Sequence, residues 1–124
     1  MKTEALATHV LLELWGVETS VLNDAKVLEA GLLEAARAAR CEVLGSLEHQ
    51  FHPQGASVVV LVAESHLSIH TWPEHGYAAI DILTCGQTLP EAGVASLIER
   101  FRPQRHSIQR IARGLLEPAM RQIP

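Results

Sequence analysis

Residues 63–86 read Ala63-Glu-Ser-His-Leu-Ser-Ile-His-Thr-Trp-Pro-Glu-His-Gly-Tyr-Ala-Ala-Ile-Asp-Ile-Leu-Thr-Cys-Gly86, and their alternation decides the architecture. In an extended chain successive side chains point to opposite faces. His66, Ser68, His70 and Trp72 therefore share one face of a strand, and Leu67, Ile69 and Thr71 share the other. Pro73 ends that strand, and Tyr77 to Cys85 begins another. Just upstream, Ser57 to Glu64 is β-branched and apolar and reads as a buried strand.

Working outward, His52-Pro53-Gln54-Gly55 is turn chemistry that stops a strand over Cys41–Phe51. Val21 to Arg40 carries apolar residues at Val21, Ala25, Leu28, Leu32, Ala35 and Ala39, the spacing of an amphipathic helix. Ser20, Asn23 and Asp24 compete to cap its start. His9 to Trp15 reads as the first strand, closed by Gly16. Downstream, Thr88-Leu89-Pro90-Glu91 has the pattern of a capping box with proline in the first turn. The helix it opens turns Val94, Leu97, Ile98 and Phe101 inward and stops before Pro103. Ser107 to Ala112 is a last strand, and the tail after Gly114 is expected to be loosely held. Strand, helix, several strands, helix, strand implies an α+β fold, with two helices on one face of a mostly antiparallel sheet.

With 124 residues and neither repeat nor linker, residues 1–124 form a single domain. A content of 48% hydrophobic and 19% charged residues excludes a disordered chain. The net charge is −4, and no basic block appears beyond scattered arginines at 100–113, so no nucleic acid partner is expected. No membrane partner is expected either, because the longest apolar run, Val58 to Ala63, is far too short to cross a bilayer. No secretory signal is visible, and Cys41 and Cys85 form no disulfide framework, which makes a cytoplasmic location the default. Lysine occurs only at positions 2 and 26, which leaves a pyridoxal enzyme almost no anchor.

Five side chains between residues 64 and 74 can move protons or hydrogen-bond: Glu64, Ser65, His66, His70 and Glu74. They could simply be a polar strand face. A zinc site is disfavoured, because His66 and His70 lie about 13 Å apart at strand rise. A serine hydrolase would need a G-x-S-x-G elbow, which is absent. The remaining chemistry is backbone self-cleavage. A serine hydroxyl attacks the preceding carbonyl, giving an ester by an N-to-O acyl shift. Elimination across the serine Cα–Cβ bond then leaves dehydroalanine, which hydrolyses to a pyruvoyl group. That sequence needs a base and donors for an oxyanion, and His70 with the Ser57 hydroxyl are the best candidates.

The stretch 63–86 closely resembles the core of the prokaryotic S-adenosylmethionine decarboxylase family. Phe51-His-Pro-Gln-Gly-Ala-Ser57 resembles that family's upstream element, and Leu11-Leu-Glu-Leu-Trp-Gly16 does so more weakly. The resemblance spans roughly residues 7–112 and implies a two-layer α/β sandwich. It implies cleavage between Glu64 and Ser65 into a β chain (1–64) and an α chain (65–124), with Ser65 becoming the pyruvoyl cofactor. It gives His70 the role of proton acceptor in processing, with Ser57 in support, and Cys85 the role of proton donor in decarboxylation. The ketone condenses with the substrate amine and draws electrons from the breaking bond, as pyridoxal does elsewhere. Phe51 and Trp72 would face the adenine or sulfonium, and Glu74 the ribose. The implied assembly is a homodimer with sites near its interface, and the implied product is the aminopropyl donor of spermidine biosynthesis.

Two positions depart from the family pattern, Glu48 and Val58. A carboxylate near the pocket would favour a smaller basic substrate, ornithine or arginine, with the same pyruvoyl chemistry. A chain that failed to cut itself would instead be a non-catalytic regulatory partner.

Overall fold

The computed structural model describes residues 4–116. Within them the chain runs β1 (Glu4–Trp15), α1 (Thr19–Leu22), α2 (Ala25–Ala38), β2 (Glu42–Gln50), β3 (Ala56–Ala63), β4 (Ser65–Trp72), a 3-10 turn (Pro73–His75), β5 (Tyr77–Thr84), α3 (Pro90–Phe101) and β6 (Arg105–Leu116). Among the described residues the strands form one antiparallel sheet in the order β2-β3-β4-β5-β1-β6. The helices lie on one face, giving the expected α+β sandwich of two layers. No described helix is long and apolar enough to cross a membrane.

The core fills the space between the layers. Val10, Leu12 and Leu14 of β1, Val58 and Val60 of β3, Leu67 and Ile69 of β4, and Ile82 of β5 are fully buried. They meet Leu28 and Leu32 of α2 and Leu97 of α3. The strict alternation of these strands is the consequence of having one face covered and one open.

The sequence placed one helix over Val21–Arg40, but the chain breaks it at Asn23–Asp24. Asp24 caps α2, its Oδ1 accepting from Lys26 N at 3.0 Å and Val27 N at 3.2 Å. Asn23 is drawn into the tertiary structure, where its Oδ1 accepts from Gly55 N at 2.9 Å and from Gln50 Nε2 at 3.3 Å. That link holds the 51–55 loop against the start of the helical layer. The expected capping box is also absent. Leu89 takes the N-cap position of α3 with no side-chain cap, and its N–H is satisfied by Ala39 O at 2.8 Å. Pro90 does occupy the first turn.

β6 is longer than the sequence indicated. Leu115 and Leu116 pair with Ala5 and Glu4 of β1, so the chain beyond Gly114 is still in the sheet. The rest of the expected loose tail lies outside the described residues.

Candidate active site

Val62 pairs with Ser65, so β3 and β4 are joined by a turn of two residues, Ala63 and Glu64. The Glu64–Ser65 bond is at the tip of this hairpin. Ser65 has φ +117°, a backbone region that residues with a Cβ rarely adopt. Ser65 also pairs with Thr84, which places Cys85 beside the turn. The Cys85 Sγ lies 3.8 Å from Glu64 O and 3.4 Å from Glu64 Oε1. The hydrogen bond to the Glu64 side chain, with burial and the carboxylate charge adding to it, pushes the Cys85 thiol above its ordinary range.

The second cluster is at the opposite end of β4. Ser57 and His70 face each other across the β3–β4 ladder, and Ser57 Oγ is 2.7 Å from His70 Nδ1. Phe51, Ser57, His70, Trp72 and Glu74 line one cavity of about 400 Å³. Phe51 and Trp72 keep 45% and 42% of their surface exposed, unusual for large aromatics and suited to receiving a flat or cationic ligand.

Each cluster is coherent, but one chain does not bring them together. Ser65 and His70 are five residue steps apart along the strand, about 17 Å at strand rise. The expected scissile serine and the expected base are therefore on different ends of the same strand.

Between them, on the sheet face away from the helices, is a polar network that sequence reasoning missed. Asp81 accepts from Ser68 Oγ, from His9 Nε2 at 2.7 Å and from His66 Nε2 at 3.0 Å. Burial opposes ionisation of Asp81, but these hydrogen bonds outweigh it and hold the carboxyl below its ordinary value. His9, His66 and Asp81 place three metal-capable atoms within 4.8 Å of one another. Arg113 Nη1, however, donates to His9 Nδ1 at 2.8 Å, which leaves the ring proton on Nε2, where a metal would need a lone pair. A cavity of about 430 Å³ runs along this face past Glu13, His66, His70, Tyr77 and Asp81. Tyr77 donates to Glu13 Oε1 at 2.5 Å, and burial first, then that bond, pushes its hydroxyl up to about 12. Only the outward register of His9 and Asp81 in otherwise apolar strands hinted at this network.

The two departures from the family pattern do not reach either cluster. Val58 is fully buried in the core. Glu48 Oε1 pairs with Lys26 Nζ of α2 at 2.9 Å. Its carboxylate therefore serves the helix layer and gives no support to a basic amino-acid pocket.

Residues 8–114 match the family model described as S-adenosylmethionine decarboxylase. An S-adenosylmethionine decarboxylase proenzyme from Brevibacillus brevis is 42% identical over 127 residues, covering 98% of this chain and 96% of the relative. Another from Moorella thermoacetica is 44% identical over 115 residues, with 92% of each chain covered. Among solved structures, the adenosylmethionine decarboxylase of Aquifex aeolicus superposes with a TM-score of 0.86 at 36% identity, covering 93% of this chain and 96% of that one.

Proposed function

The chain belongs to the S-adenosylmethionine decarboxylase family, and from that membership we propose that it is a proenzyme that cuts itself between Glu64 and Ser65 and then decarboxylates S-adenosylmethionine. The product is the aminopropyl donor for spermidine synthesis. The observation that carries the reading is the hairpin tip, where Cys85 Sγ lies 3.8 Å from the carbonyl oxygen of the bond to be cut.

In processing, the Ser65 hydroxyl adds to the Glu64 carbonyl and the C–N bond gives way to an ester. A base removes the Ser65 Cα proton, the Cβ–O bond breaks, and Glu64 leaves as a carboxylate. Hydrolysis with loss of ammonia completes the pyruvoyl group. Ser65 fits that fate, being in a two-residue turn at positive φ with a thiol donor beside the carbonyl. The group supplies an electron sink for the breaking C–C bond.

His70, oriented by Ser57, is the proposed base. It acts on Ser65 of a second copy, because its own Ser65 is about 17 Å away along β4. The open sheet face supports a face-to-face homodimer. Leu47 and Val59, opposite each other in the ladder, are 76% and 39% exposed, and Leu61 and Ile111 on the same face are 53% and 41% exposed. A two-fold axis between the sheets and perpendicular to β4 sets the start of one β4 against the end of the other.

Substrate enters the cavity lined by Phe51, Trp72 and Glu74. An aromatic face attracts a cation such as the sulfonium by about 0.5–2 kcal/mol, and Glu74 accepts from ribose hydroxyls. Cys85 protonates the carbon from which carbon dioxide has left.

Intact mass of the purified protein, followed by carbon dioxide release from S-adenosylmethionine, ornithine and arginine, tests the reading. Two fragments, the second starting in a pyruvoyl group, with release from S-adenosylmethionine, are expected. A single uncut chain inert towards all three would sink it.

A further inference from the structure

Glu64 is used above only for its carbonyl, yet its side chain makes the closest polar contact of Cys85, Oε1 to Sγ at 3.4 Å. We propose that this carboxylate is a positioning residue for decarboxylation, keeping the proton on the Cys85 sulfur until the substrate carbon takes it. The role rests on the reading of Cys85 as the proton donor.

The rest of the surroundings supplies no charge that would hold the proton. The cavity of about 130 Å³ beside Cys85 is lined by β1 residues 5–8 and by Thr84, Thr88 and Pro90, none of which carries a charge. Thr88 and Pro90 are at the start of α3, a twelve-residue helix. A helix N-terminus favours a thiolate, and a thiolate cannot donate. Cys41, the other cysteine, is buried and itself pushed up, by burial first. Glu64 is thus the neighbour whose charge opposes loss of the proton, through its side chain and, once the chain is cut, also through the α-carboxylate that cleavage leaves on it. The uncut Ser65→Ala background isolates the side chain. In the reaction the S–H bond breaks, a C–H bond forms at the former carboxylate-bearing carbon, and the thiolate left behind is reprotonated from water. Glu64 makes that thiolate short-lived, because two negative charges then face each other at contact distance.

The test is the rate of iodoacetamide alkylation of Cys85 against pH, with peptide mass spectrometry separating it from Cys41. Full-length protein is compared with Glu64→Gln, which keeps an acceptor and loses the charge. Glu64→Gln is expected to alkylate roughly tenfold faster near pH 8. It should also lose kcat at lower alkaline pH than the parent, with KM unchanged. The same pair is measured in the Ser65→Ala background, where neither chain cuts, so slowed processing does not obscure the comparison. Superimposable alkylation profiles overturn the positioning role whatever the activity. A shifted profile together with full activity in Cys85→Ala overturns instead the proton-donor reading on which the role depends.

Discussion

The Glu48 carboxylate meets the Lys26 ammonium at 2.9 Å, joining β2 to the first turns of α2 on the covered side of the sheet. The most conspicuous acidic departure from the family pattern is thereby spent on holding a helix to a strand. Glu48→Gln is expected to leave the order of preference among S-adenosylmethionine, ornithine and arginine unchanged, as measured by kcat/KM for each. A switch of preferred substrate would show that Glu48 reaches the pocket.

The separation of Ser65 from His70 predicts complementation. Ser65→Ala and His70→Ala chains, each expressed alone, should remain uncut or nearly so. Co-expressed at equal levels, about half of the His70→Ala chains should be cut, because half of the dimers pair their Ser65 with a partner's intact His70. Denaturing gels with differently tagged chains read this directly. Absence of any cutting in the mixture would place base and serine in one chain.

Phe51 and Trp72 flank the same cavity and are about half exposed, with Phe51 edge to face against His49 at 4.6 Å between centroids and Trp72 tilted against Tyr77 at 5.4 Å. Phe51→Ala should raise KM for S-adenosylmethionine by roughly five- to thirtyfold, the equivalent of about 1–2 kcal/mol of lost cation–π and stacking contact. Processing, which does not involve the ligand, should continue at the parental rate.

Asp81 predicts the acid limit of stability. Its folded carboxyl titrates below the ordinary carboxylate value despite burial, because Ser68, His9 and His66 donate to it. The stabilisation is therefore complete above the unfolded value of about 3.9 and disappears as pH falls through the lower folded one. The thermal midpoint should drop as pH falls below about 4, and Asp81→Asn should lower it at neutral pH while flattening that drop.

α2 packs on α3 at Gly31, where an added Cβ would stand 2.6 Å from Phe101 Cζ. Phe101 is 4% exposed and has little room to move. Overpacking of this kind costs about 1–3 kcal/mol, against a gain of about 1 kcal/mol in helix propensity for alanine over glycine. Gly31→Ala should thus be net destabilising by about 1 kcal/mol, seen as a lower denaturant midpoint at unchanged slope.

β4 was legible in the sequence because it is covered on one side only, and alternation records that directly. β3, apolar at every position from Val58 to Ala63, reads as a buried strand, yet its Val59 and Leu61 are 39% and 53% exposed on the open face. β6 was read short because its edge position lets Arg105, Arg110 and Arg113 replace apolar residues, and its register with β1 extends it. The break at Asn23 was hidden because its cause is a bond from Gly55, thirty-two residues away. The site was legible in parts. Ser57, His70, Phe51, Trp72 and Glu74 are brought together, and Ser65 lies beside Cys85. That the two groups occupy opposite ends of β4 follows only from counting strand residues, and the His9–Asp81 contact joins positions seventy-two apart that no local pattern links.

Strand β1 belongs to the chain before Glu64–Ser65, yet it lies between β5 and β6, which come after it. Cutting that bond would therefore leave two interleaved pieces, meeting along the seams β3–β4, β5–β1 and β1–β6 among the described strands. Peeling one seam open would not release either piece. Once separated by full unfolding, however, the pieces would have to find each other by diffusion, so melting of the cut protein would depend on its concentration even within one αβ unit. The uncut precursor is the form able to assemble this sheet from one tethered chain, and the proposed cut would leave a fold preserved mainly by the slowness of its undoing.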